Sequence, residues 1–121
     1  MYQLRELTLQ NQDKEKRILV IDFDDPTMDI VSEFLMTDAT LLNAVVLDDI
    51  NAVLNEGRET VETSGNRCGL LIGKEYTEIY DLFADLEDAH SLDSYCIKTT
   101  LLRTLIVDWL HELAEFKKER E

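Results

Sequence analysis

The residues with the clearest chemical potential are two aspartates, Asp22 and Asp24, at the end of an apolar run over residues 18–23. Carboxylate oxygens are good ligands for Mg²⁺, and an aspartate can attack phosphorus while a neighbouring carboxylate transfers the proton. Thr27 supplies a hydroxyl a few residues later. These residue types are the ones that a magnesium-dependent phosphoryl-transfer enzyme uses.

The segment resembles the first motif of haloacid dehalogenase phosphatases, in which an apolar strand ends in Asp-x-Asp-x-Thr. Here Pro26 stands where the hydroxyl is needed, and Thr27 comes one position late. The segment also resembles the acidic pocket of a two-component receiver domain, but Asp48 follows too early and within a helical pattern. Both families need alternating strands and helices, which this chain lacks. We therefore predict no enzymatic activity, no catalytic residues and no metal site, with phosphoryl transfer by Asp22 and Asp24 as a weaker alternative.

Cysteine and histidine do not form a recognisable site either. There is no Cys-x-x-Cys, and His90 and His111 lack metal-ligand spacing to Cys68 or Cys96. Both cysteines have apolar neighbours, so we expect two buried thiols rather than a disulfide or a metal pair. No cofactor is predicted.

The charge distribution is the strongest functional signal in the sequence. The chain has 26 acidic and 12 basic residues, a net charge of −14. No Lys or Arg lies between Arg17 and Arg58, a stretch with nine acids, or between Lys74 and Lys98, a stretch with seven. Such a field repels phosphate backbones, so direct nucleic-acid binding is not expected. It favours a basic protein partner instead.

Length and composition are typical of one globular domain spanning residues 1–121. The hydrophobic fraction is 45%, too high for a disordered chain. No apolar run approaches the roughly 20 residues of a membrane-spanning helix, and the first residues do not resemble a secretory signal. We therefore expect a cytoplasmic protein that does not enter a membrane.

Hydrophobic periodicity predicts three helices. Asp25 and Pro26 start a short helix ending near Thr37, since Asp is a good N-cap and Pro is favoured at the first helical position. A second helix runs from Asp38 or Thr40 to Glu56, and Gly57 follows its C-cap. The third begins at Thr99 or Thr100 and carries an apolar stripe at Leu102, Leu105, Ile106, Trp109, Leu110, Leu113 and Phe116.

Strand patterns occupy the remaining chain. A weak strand over residues 4–10 and a polar turn over 10–16 precede an apolar strand over 17–23. Alternating or apolar runs follow at 60–63, 68–72, 76–83 and 95–97. Helices and strands are segregated, which predicts an α+β fold: an antiparallel meander packed against a long C-terminal helix, with two helices in the N-terminal half.

The second half of the chain is similar to a family of small bacterial proteins. The matching stretches are Val61–Ile72, Thr77–Phe83, Cys96–Thr99 and Leu105–Phe116. These residues resemble the immunity proteins of contact-dependent growth inhibition systems.

This resemblance implies a non-enzymatic inhibitor that binds the C-terminal toxin domain delivered by a neighbouring cell, at its active site or an exosite. Many such toxins are nucleases with basic substrate surfaces, which carboxylates can occupy in place of phosphates. The alternative is an acidic nucleic-acid mimic that inhibits another DNA- or RNA-binding protein.

We predict the toxin contacts within the second acidic stretch, because its middle has loop composition and binding residues collect on loops. Asp81 points outward if Tyr80 and Leu82 face inward, and the reverse register stays open. The predicted toxin-binding residues are Asp81, Asp85, Glu87, Asp88 and Asp93.

Overall fold

The computed structural model describes residues 2–57, 59–83 and 92–119, and within them it has the predicted α+β architecture. In chain order, the elements are β1 (Tyr2–Asn11), β2 (Lys14–Phe23), a 3-10 turn (Pro26–Met28), α1 (Asp29–Phe34), a π-helical turn (Leu35–Ala39), α2 (Thr40–Asn55), β3 (Thr60–Ser64), β4 (Cys68–Gly73), β5 (Tyr76–Asp81), β6 (Tyr95–Lys98) and α3 (Thr99–Glu119).

The first two strands form a long antiparallel hairpin. They pair from Tyr2 opposite Phe23 to Asn11 opposite Lys14, so only Gln12 and Asp13 form the turn. Gln12 adopts the left-handed conformation, with φ of 58°, as tight hairpin turns require. The predicted polar turn over residues 10–16 contains this turn but is too long, because the strands stay paired through polar residues on both sides of Gln12 and Asp13.

The start of the helical region agrees with the sequence. The carboxylate of Asp25 accepts hydrogen bonds from the backbone N–H of Thr27 at 2.9 Å and from its hydroxyl at 2.7 Å. Pro26 takes the first helical position. The two predicted helices are joined by the π-helical turn rather than separated, and Gly57 follows α2 with φ of +80°, a conformation that favours glycine.

Strands β3, β4, β5 and β6 form a separate antiparallel sheet in sequential order. Its inner face contributes Leu70, Ile72, Ile79 and Ile97 to the core, each at most 3% exposed. Helix α3 contacts α2, β5 and β6, and Trp109 is 3% exposed within the same core. In the described part of the chain, no helix combines the length and hydrophobicity needed to cross a bilayer.

The two cysteines have different environments, which corrects the expectation that both are buried. Cys68 lies on the inner face of β4, whereas Cys96 is exposed because its neighbour Ile97 takes the inward position on β6. Neither forms a disulfide. Burial, followed by the nearby charge of Asp38, raises the pKa of the Cys68 thiol to about 12.

Candidate partner-binding surface

Asp81 is a buried residue at the end of β5, only 5% exposed. Thr77 and Ile79 face the core, and the two-residue period of a strand turns Asp81 to the same side. Asp81 therefore faces inward, and the outward orientation considered for it is wrong. Its carboxylate does not lie at the surface, where a partner would meet it.

The Asp81 carboxylate holds both ends of the segment that contains the predicted loop. It accepts hydrogen bonds from the backbone N–H of Phe83 at 2.9 Å and from that of Leu92 at 2.8 Å. The guanidinium of Arg67 donates to it at 2.9 Å and lies over the ring of Phe83, 5.3 Å from the ring centre. Asp81 thus positions the residues on either side of the acidic segment.

The ionisation of Asp81 follows from these contacts. Burial by itself raises the pKa of this carboxyl group, but the hydrogen bonds from Phe83 and Leu92 and the charge of Arg67 outweigh burial, so the pKa lies below its usual value. An ionised carboxylate is a stronger acceptor than a neutral acid. The Asp81 carboxylate is therefore kept in its charged form at neutral pH.

A second buried carboxylate supports the first. Asp38, in the π-helical turn, accepts backbone hydrogen bonds from Asn66 at 2.8 Å, Arg67 at 3.1 Å and Cys68 at 2.6 Å. A Cβ on Gly65 would come within 2.5 Å of the Asp38 carboxyl carbon, so this turn needs glycine. Asp38 orients the turn that carries Arg67, and sequence reasoning missed it because the pattern does not distinguish a buried helical Asp from an exposed one.

The predicted residues Asp85, Glu87 and Asp88 lie outside the described residues, and their contact with a partner stays a prediction. Asp93 is described and exposed. It lies beside Leu92, whose backbone is held by Asp81.

Asp93 lines a shallow groove together with residues from the beginning of the helical region. This acidic groove, of about 410 Å³, is formed by Pro26, Thr27, Asp29, Ile30, Leu92, Asp93 and Ser94. Asp29 and Asp93 are both exposed, so the groove joins the two cation-free stretches of the sequence. Asp29 was recognisable only as an exposed helical acid, because nothing in the sequence pairs it with Asp93.

Two lysines of the four-stranded sheet lie at the end away from Asp81. The register places Cys68 opposite Asp81 at one end and Tyr76 opposite Lys98 at the other. Lys74 and Lys98 line a second depression at that far end. Arg67 is at the Asp81 end, where Asp81 balances its charge. Lys74 and Lys98 therefore lie at the end of the sheet opposite Asp81, beside Glu75.

The aspartates of the phosphatase-like segment have structural partners. Asp22 forms an ion pair with Arg5 across the hairpin, and Asp25 caps the 3-10 turn. Across residues 2–57, 59–83 and 92–119, no three His, Cys, Asp or Glu side chains gather as a possible metal site.

The chain is 34% identical over 90 residues to a protein of Bacillus cereus described as an immunity protein, and the match covers 74% of each chain. It matches no family model and no solved structure.

Proposed function

The chain belongs to the family of the Bacillus cereus immunity protein, and we propose that it neutralises a toxin domain by binding it through the acidic groove and the adjoining segment 84–91. The proposed partner is the basic C-terminal domain of a contact-dependent growth inhibition toxin. The protein acts in the cytoplasm as an inhibitor without chemistry of its own.

The observation that carries this proposal is the meeting of Asp29 and Asp93 in one groove. Each is exposed and comes from a stretch without a lysine or arginine. Exposed carboxylates of this kind attract a cationic surface and raise the association rate. Where a charge pair is desolvated in the complex, removing one partner costs about 2–5 kcal/mol.

A nuclease is the toxin class that fits this surface best. Nucleases bind a phosphate backbone through lysine and arginine side chains, and carboxylates can occupy the same positions. The side chains of Asp85, Glu87 and Asp88 would add negative charge from the segment that Asp81 anchors at Phe83 and Leu92. Occupation of the toxin's substrate surface would block it.

The proposal is tested by charge reversal against the toxin domain encoded next to this protein. We expect Asp29→Lys with Asp93→Lys to weaken binding, mainly through slower association and most strongly at low salt. The triple variant Asp85→Lys, Glu87→Lys and Asp88→Lys should do the same. The matched control is Asp108→Lys with Glu112→Lys, which makes the same change in net charge on the exposed side of α3.

Three outcomes contradict parts of the proposal. If the control weakens binding as much as the groove variant, net charge rather than this surface drives association. If folded groove and segment variants both bind normally, the site is elsewhere. If the unchanged protein does not bind the toxin, the proposed function itself is wrong.

A further inference from the structure

The outer part of the β1–β2 hairpin is exposed on both faces within the described part of the chain. The hairpin arm, residues 5–17, is exposed at every described side chain. Its base differs, because Ile21 and Phe23 belong to the core. A two-stranded ribbon is at best marginally stable in water by itself, so an arm of this kind gains stability from a second surface.

One face of the arm combines apolar and cationic side chains. Leu7 and Leu9 are 36% and 49% exposed. The register puts Leu9 opposite Lys16 and Asn11 opposite Lys14, and directly paired residues of antiparallel strands share a face. We call Leu7, Leu9, Lys14 and Lys16 the arm face.

The outer face of the four-stranded sheet has the complementary character. One cross-strand row runs from Glu62 through Leu71 to Glu78, and Leu71 is 42% exposed between the two carboxylates. The Tyr80 hydroxyl donates to Glu62 at 3.1 Å. Burial, this hydrogen bond and the charges of Glu62 and Glu78 raise the pKa of Tyr80, as expected on a negative face. We call Glu62, Leu71, Glu78 and Tyr80 the sheet face.

We propose that the protein forms a dimer in which the arm face of each copy packs on the sheet face of the other. Leu7 and Leu9 cover Leu71, while Lys14 and Lys16 approach Glu62 and Glu78. The two contacts are equivalent by a twofold axis, which closes the assembly at two copies.

Charge favours a second copy as the occupant of these faces. The chain has a net charge of −14, yet three of the four residues from Lys14 to Arg17 are cationic. A basic toxin would be repelled by these lysines, whereas another copy offers an exposed leucine flanked by carboxylates. No residue of the arm face or the sheet face lines the acidic groove, so this inference does not depend on the proposed toxin site.

The test is a reciprocal charge swap read out as molar mass in solution by light scattering over a wide concentration range. The arm variant, Lys14→Glu with Lys16→Glu, and the sheet variant, Glu62→Lys with Glu78→Lys, should each be monomeric. Mixed together, they should form a heterodimer, because both of its contacts again join opposite charges. Lys117→Glu with Lys118→Glu at the end of α3 is the matched control and should stay dimeric.

Circular dichroism establishes that each variant is folded. If one variant by itself still associates weakly, the mixture remains decisive, because only the heterodimer joins opposite charges at both contacts. A monomeric unchanged protein at every concentration overturns the proposal. So does a mixture of folded variants that stays monomeric, or an arm variant that remains a dimer. If the arm variant instead loses toxin binding while the unchanged protein is monomeric, the toxin is the occupant and the dimer is refuted.

Discussion

The guanidinium of Arg67 and the carboxylate of Asp81 lie 2.9 Å apart, and the Asp81 side chain is fully removed from solvent. Arg67 precedes β4 and Asp81 ends β5, so the pair ties two neighbouring strands together at this end of the sheet. The same carboxylate binds the backbone on both sides of segment 84–91. This makes Asp81 a positioning residue for the surface proposed to meet a toxin.

Replacing Asp81 should therefore destabilise the fold. Asp81→Ala removes the partner of the part-buried Arg67 guanidinium and the acceptors of two backbone N–H groups, and each group left without its partner typically costs about 1–3 kcal/mol. Urea denaturation measures the loss. Asp93→Ala, at an exposed position, is the control and should change the free energy of unfolding little. Equal effects of the two substitutions would contradict the anchoring role.

Acid should reduce the contribution of Asp81 to the free energy of unfolding. The pKa of Asp81 is lowered in the folded protein, so its contribution to stability is complete above the unfolded value of about 3.9 and declines as pH falls toward the folded value. The difference in unfolding free energy between the unchanged protein and Asp81→Asn should shrink as pH drops through this range. A difference that is constant with pH would show that ionisation of Asp81 does not matter.

The core position of Trp109 gives a second stability prediction. Its ring is 3% exposed, and truncating a buried tryptophan costs about 3–5 kcal/mol. Trp109→Ala should lower the free energy of unfolding, measured by urea denaturation, by this amount. Val107→Ala, on the exposed side of the same helix at 41% exposure, should have a small effect. A near-zero change for Trp109→Ala would mean that α3 is not docked as described.

The two thiols should differ in reactivity. Cys96 is exposed and Cys68 is buried, with the pKa of Cys68 raised to about 12, so little reactive thiolate forms there near neutral pH. A thiol reagent should label Cys96 quickly in the native protein and Cys68 only after unfolding in urea. Cys96→Ser removes the fast phase. Rapid native labelling of that variant would contradict the burial of Cys68.

Much of the fold could be predicted from local residue chemistry. Asp25 and Pro26 begin the helical region, Gly57 ends it, and the apolar stripe containing Trp109 marks α3. The strand positions in the second half were also recognisable, since alternation and turn residues are local signals. The hairpin turn was predicted too long because strand pairing extends through residues such as Lys14 and Glu15 without any apolar pattern.

The acidic character and the α+β class are determined by the sequence alone, because net charge and hydrophobic period do not depend on long-range contacts. The orientation of Asp81 was decided only by the tertiary structure. A period of two groups residues 77, 79 and 81 on one face, but packing against the helices decides that this face is buried. The tertiary structure also decided that Asp29 and Asp93 line one groove. Residues far apart in the chain become neighbours only when the segments that carry them pack together.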